Sequence, residues 1–260
     1  MRNTLVALAL VMSAGCVTVN STGGTIKKEA PAPRAAPDMR EAARVNTDLG
    51  VTYARDGNYD VALDKFSRAI GQDANYAPAH SGIAFVYAQR HDNEKAQVHY
   101  ERALQLQSDD PMTRNNYGAF LCSIKRYKEA EKQMLQAAKS ITYREPERAY
   151  ANLGACAQRI PDLNKAEGYY REALARRPDL PDALQQMASI LLEKRDYARA
   201  RVFLQRYEKV GEATAATLWM GARIEYALGD KGAAAAYQRR LRIEFPDSEE
   251  SLSTLSPSAS

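Results

Sequence analysis

The chain has 260 residues, 36 basic and 32 acidic, with a formal net charge of +4. A balance so small and so scattered excludes nucleic-acid binding as the organising function, and the length allows one elongated domain or two compact ones. Alanine, leucine, glutamate, lysine and arginine dominate, with glycine and proline at intervals, which favours helices. In chain order, Arg2 is a short basic start, Leu5 to Met12 an apolar run, and Ser13-Ala14-Gly15 a set of small residues before Cys16. The run is too short to span a bilayer and reads as a cleaved signal peptide over 1–15.

Ala14-Gly15-Cys16 resembles a bacterial lipobox, with Ser13 where an aliphatic residue is usual. The resemblance implies lipidation of Cys16. With Val17 rather than aspartate next, it also implies the outer membrane of a Gram-negative bacterium, the protein being held at the periplasmic face by lipid through the acylated cysteine. Residues 16–39 are polar, with proline and alanine and almost no apolar periodicity, and read as a flexible tether reaching roughly 25–30 Å.

From residue 40 a period appears. Ala62, Ala96 and Ala130 fall 34 apart, as do Ala69, Ala103 and Ala137, and Phe66, Tyr100 and Met134. Small residues let two antiparallel helices approach, and large ones fill the space beside them. These columns resemble the tetratricopeptide repeat. Units are expected near 43–76, 77–110, 111–146, 147–180, 181–214 and 215–248, within a domain over 40–247. The fourth follows a two-residue insertion, and the sixth is degenerate, with Gln238 where an aromatic is expected. The fold expected is all-α, a right-handed superhelix (solenoid) of about six helical hairpins, each completed by its neighbours. Residues 249–260 read as a disordered tail.

No catalytic constellation is present, and no phosphate or dinucleotide loop. His80, His91 and His99 lack metal spacing and read as surface or half-buried repeat residues. The chain is expected to be no enzyme, with no cofactor, metal, nucleic acid or small-molecule substrate. The functional candidate is the groove lined by first helices: Arg44, Thr47 and Val51; Ser81 and Phe85; Met112, Asn115 and Ala119; Arg148 and Asn152. Such a largely neutral surface with apolar points suits an extended peptide or a partner helix. Cys122 and Cys156 lie 34 apart on adjacent first helices, at positions about 200° apart around the helix. They read as a disulfide in an exported protein, with two buried free thiols as the alternative.

Ala42 to Gly50, Asn115 to Cys122, Glu145 to Tyr150 and Phe203 to Tyr207 together resemble the PilW/PilF family of type IV pilus biogenesis and stability lipoproteins. That resemblance implies a six-repeat outer-membrane pilotin, which helps the pilus secretin to localise and form multimers, and a disulfide known in part of the family. A general envelope scaffold, serving peptidoglycan enzymes or outer-membrane protein assembly, is the alternative that the generic repeat permits.

Overall fold

The structure is a computed structural model that describes residues 38–160 and 162–252. The signal peptide, Cys16 and all but the last two residues of the expected tether lie outside those residues. The described part of the chain is helical, with no strand: α1 (Met39–Arg55), α2 (Tyr59–Gln72), α3 (Ala77–Gln89), α4 (Asn93–Leu106), α5 (Pro111–Ser123), α6 (Tyr127–Ala138), α7 (Pro146–Gln158), α8 (Leu163–Arg176), α9 (Pro181–Glu193), α10 (Tyr197–Tyr207), α11 (Ala215–Ala227), α12 (Lys231–Glu244) and the single turn α13 (Glu249–Leu252).

The helix ends have local causes. Asp92, Asp162, Asp196 and Asp230 each accept a backbone N–H at the start of the second helix of a hairpin. Pro111, Pro146 and Pro181 open α5, α7 and α9, where the missing N–H has no helical partner to lose. The tail expected from residue 249 begins instead as α13. Ser248 accepts the Ser251 N–H (3.1 Å), and Glu249 and Glu250 sit in the first turn, where the helix dipole favours negative charge.

Each odd-numbered helix up to α11 pairs with the even-numbered one that follows it, and each even-numbered one then packs on the next odd-numbered helix. The odd-numbered helices also touch one another, α1 on α3, α3 on α5, α5 on α7 and α9 on α11, while the even-numbered ones make no comparable contact among themselves. The layer with the shorter spacing lies on the inside of the bend, so the first helices line the concave side of the solenoid.

Packing of rings on bare backbone sets the helix separation. The Phe66 ring of α2 lies between Gly50 of α1 and Gly82 of α3, where an added Cβ would come within 2.6 and 2.3 Å of it. Tyr170 covers Gly154 in the same way, at 2.7 Å. In the last hairpin the ring arrives one residue early. Tyr237, not residue 238, covers Gly221 (2.6 Å to an added Cβ), so the glycine has moved with the ring and the packing survives the shift.

Candidate partner-binding face

The concave layer sorts the expected groove residues into two kinds. Arg44, Val51, Met112, Ala119 and Arg148 are exposed, and Phe85 and Asn152 are half-buried. Val51 and Met112 are the large apolar points, 38% and 61% exposed. With half-buried Phe85 they put apolar points on α1, α3 and α5.

Thr47, Ser81 and Asn115 correct the expectation. They are only 4%, 8% and 6% exposed. Their burial places them in the packing between helices rather than on the open surface of the groove. Thr47 Oγ1 donates to the Ala43 carbonyl (2.8 Å). Asn152 Nδ2 donates to Asn115 Oδ1 (3.0 Å), which ties α7 to α5.

The same seam carries a disulfide between Cys122 and Cys156, with Cα atoms 5.9 Å apart. One helix further, Gln158 Nε2 donates to Gln186 Oε1 (3.1 Å) across α7 and α9. These amide ties escape a reading by periodic apolar columns. The only signal for them in the sequence is the recurrence of amides at Asn116, Asn152 and Gln186, at one position of successive repeats.

The rim is charged but already paired. Arg44 donates to Glu41 (2.6 Å) and Asp48 (2.7 Å), and Arg148 to Glu145 (3.1 Å), all on exposed neighbouring turns. Exposed pairs of this kind contribute about 0.2–1 kcal/mol, so a partner carboxylate can replace them at little loss. Val45 and Leu49 on α1, 45% and 44% exposed, extend the apolar surface beyond the residues read from the sequence.

Among the described residues, no group of three or more His, Cys, Asp or Glu side chains is arranged to hold a metal. No helix among them is long and apolar enough to cross a membrane.

No family model matches the chain. The type IV pilus assembly protein PilF of Pseudomonas aeruginosa is 30% identical over 250 residues, covering 96% of both chains. A solved structure of Pseudomonas aeruginosa PilF superposes with a TM-score of 0.75 at 29% identity, over 83% of this chain and 97% of that one. A crystal structure of PilW, described as a widely conserved type IV pilus biogenesis factor, does so with a TM-score of 0.73 at 29% identity, over 82% and 98%.

Proposed function

This chain belongs to the PilF/PilW family of type IV pilus biogenesis proteins, and within pilus assembly we propose that it is a lipid-anchored adaptor, a pilotin, that binds a segment of the secretin in the concave groove. It acts by binding and not by catalysis. Cys16 carries the lipid, the segment between Cys16 and α1 is the tether, and the outer membrane is the destination. The observation that supports this reading is the full-length match to a pilus assembly protein, joined to a concave layer with accessible apolar points at Val51, Phe85 and Met112. Apolar points along a curved surface suit an extended or helical segment of another protein.

The test is to count heat-stable secretin multimers in outer membranes from a strain lacking the protein and from one complemented with Val51→Arg plus Met112→Arg. Both substitutions are at exposed sites, so the fold is expected to persist by circular dichroism. Loss of multimers in both strains is the expected result. Normal multimers in the deletion strain sink the adaptor reading, and normal multimers with the double variant alone move the contact away from the groove. A Cys16→Ser variant separates the anchor from the groove. It is expected to be released from membranes while still capturing secretin in detergent extracts.

A further inference from the structure

The adaptor role makes no use of the two histidines of the second hairpin. His80 lies at the start of α3 and His99 in the middle of α4, with their Nδ1 atoms 3.1 Å apart and ring centroids 5.3 Å apart. His80 Nε2 is 3.2 Å from the carbonyl oxygen of Ala74, in the loop that joins the first hairpin to the second. A carbonyl oxygen only accepts, so Nε2 carries the hydrogen, and the neutral His80 ring has its lone pair on Nδ1. His99 Nδ1 must then be the donor. One combination of tautomers satisfies both contacts.

The surroundings make added charge unfavourable. Tyr87 of α3 packs against His99, with ring centroids 5.9 Å apart, and the Lys95 ammonium stands 5.1 Å over the Tyr87 ring. Arg102 of α4 faces His80 and donates to Asn75 Oδ1 (2.8 Å), a second tie on the same loop. Among the described residues, α1, α2 and α5 bring no other charged group to either ring. Burial pushes both imidazoles below their ordinary value. For His80 the Ala74 bond opposes this and Arg102 adds to it; for His99 the neighbouring His80 adds to it.

We propose that His80 and His99 form a two-proton latch between α3 and α4 of the second hairpin, beside the loop that joins it to the first, closed with up to one added proton and opened by the second. The first proton enters at His99 Nε2 and leaves the Nδ1–H to Nδ1 bond in place. The second has to take the His80 lone pair, which is the acceptor of that bond. Two imidazolium rings then face each other beside the Arg102 guanidinium, and α3 and α4 lose this tie, while His80 Nε2–H keeps its bond to the Ala74 carbonyl and carries the change in charge to loop 73–76. The latch is independent of what occupies the groove.

Long-range proton–nitrogen NMR on the histidine-labelled full chain reads the tautomers and the titration of both rings directly. The expected result at pH 7.5 is His80 protonated on Nε2 and His99 on Nδ1. On acidification two coupled steps follow, and the amide signals of residues 73–76 shift with the second step and not the first. Opposite tautomers, two independent titrations, or loop signals that ignore the second step would overturn the proposal. In a folded His80→Gln/His99→Gln variant the acid-induced shift of the loop disappears; if it persists there, another group drives it and the latch is rejected.

Discussion

The hairpin α1–α2 meets its neighbour over two small apolar clusters, one of Ala43, Ala69 and Ala79, the other of Ala54, Ala62, Phe66, Ile83 and Val86. From Ala84 to Ile224, by contrast, buried apolar side chains form one continuous cluster. The seams differ as well. In the later part of the array, carboxylates are buried in ion pairs. Glu147 accepts from Arg177 (3.2 Å) within the α7–α8 hairpin, while Glu167 with Lys194 (2.5 Å) and Arg199 (2.7 Å), and Glu225 with Arg201 through Nε (2.9 Å), bridge hairpins. A disulfide and an amide pair add to this between α5 and α7. The seam of the first hairpin has the Phe66 ring, the exposed Arg90–Asp60 pair and the His80 bond to the Ala74 carbonyl of the connecting loop. In a solenoid, stability is close to a sum of neighbour interfaces. The array is therefore expected to open from its first hairpin while the middle holds.

The largest effect expected is at Phe66. Replacing it with alanine empties the space between Gly50 and Gly82 and costs about 3–5 kcal/mol. The loss should be local. Native-state hydrogen exchange is expected to show α1 and α2 amides losing protection while those of α7 to α10 keep theirs. A uniform loss along the chain would abolish the distinction between the two regions.

Next comes the staple in the middle. Removing the Cys122–Cys156 bond, by reduction or by Cys122→Ser with Cys156→Ser, frees a closed loop of 34 residues and is expected to lower stability by about 3–4 kcal/mol in the chain-entropy picture. Urea unfolding with and without reductant measures it. Identical midpoints would mean that the bond is idle and that the rigidity of the middle rests on packing alone.

Glu167 tests the buried charge. Its side chain is 7% exposed and also pairs with Arg171. Burial pushes its carboxyl up, but hydrogen bonds from Lys194 and Arg199 outweigh that and leave it below its ordinary 4.5. A lowered folded-state value means that the group contributes stability above pH 4.5, and that the contribution is lost as pH falls through the folded value. Glu167→Gln is expected to cost about 1–3 kcal/mol at pH 7 and to flatten the decline in stability below pH 4.5. The histidine pair gives the other arm. Its lowered values mean that the unfolded chain binds protons first, so stability falls as pH drops below 6.5. The two arms should separate by region, with the second hairpin responding as pH falls below 6.5 and the middle only below pH 4.5.

How much of this was legible depends on what repeats. Ala62, Ala96 and Ala130 recur because every hairpin needs the same close approach, so the hairpins and their starts at 77, 111, 181 and 215 could be read from spacing. The cysteine pair was open between bridge and free thiols, and the structure bonds it. The groove was legible only in part. Helical position says which side a residue takes, but Thr47, Ser81 and Asn115 sit on the border between groove and seam, and the distance between neighbouring hairpins decides which they join. His80 with His99, and Glu167 with Lys194 and Arg199, occur once each, 19 to 32 residues apart. A contact that occurs once leaves no period, so nothing in a single sequence marks it.

The smallest effect concerns the turn inside each hairpin. Gly57, His91, Lys125, Arg195 and Gly229 occupy it in five hairpins, all with positive φ between 60° and 85°. Glycine adopts that region freely, while a residue with a Cβ is penalised by roughly 1–2 kcal/mol. The side chain of Lys125 is exposed. Lys125→Gly therefore relieves strain and loses nothing by contact. It also loosens the unfolded chain, by about 0.4–1 kcal/mol, so the net gain expected is a few tenths of a kcal/mol to about 1. Gly57→Ala runs the other way, because it introduces the penalty into a turn where an added Cβ has open space around it and no packing to gain. The sign is the test. Thermal unfolding should rise for Lys125→Gly and fall for Gly57→Ala, and the fall should appear as earlier opening of α1–α2 rather than of the whole array. If Gly57→Ala instead lowers protection from α1 through α10 together, the first hairpin is not an independent unit, and its separate clusters do not make it the weak end.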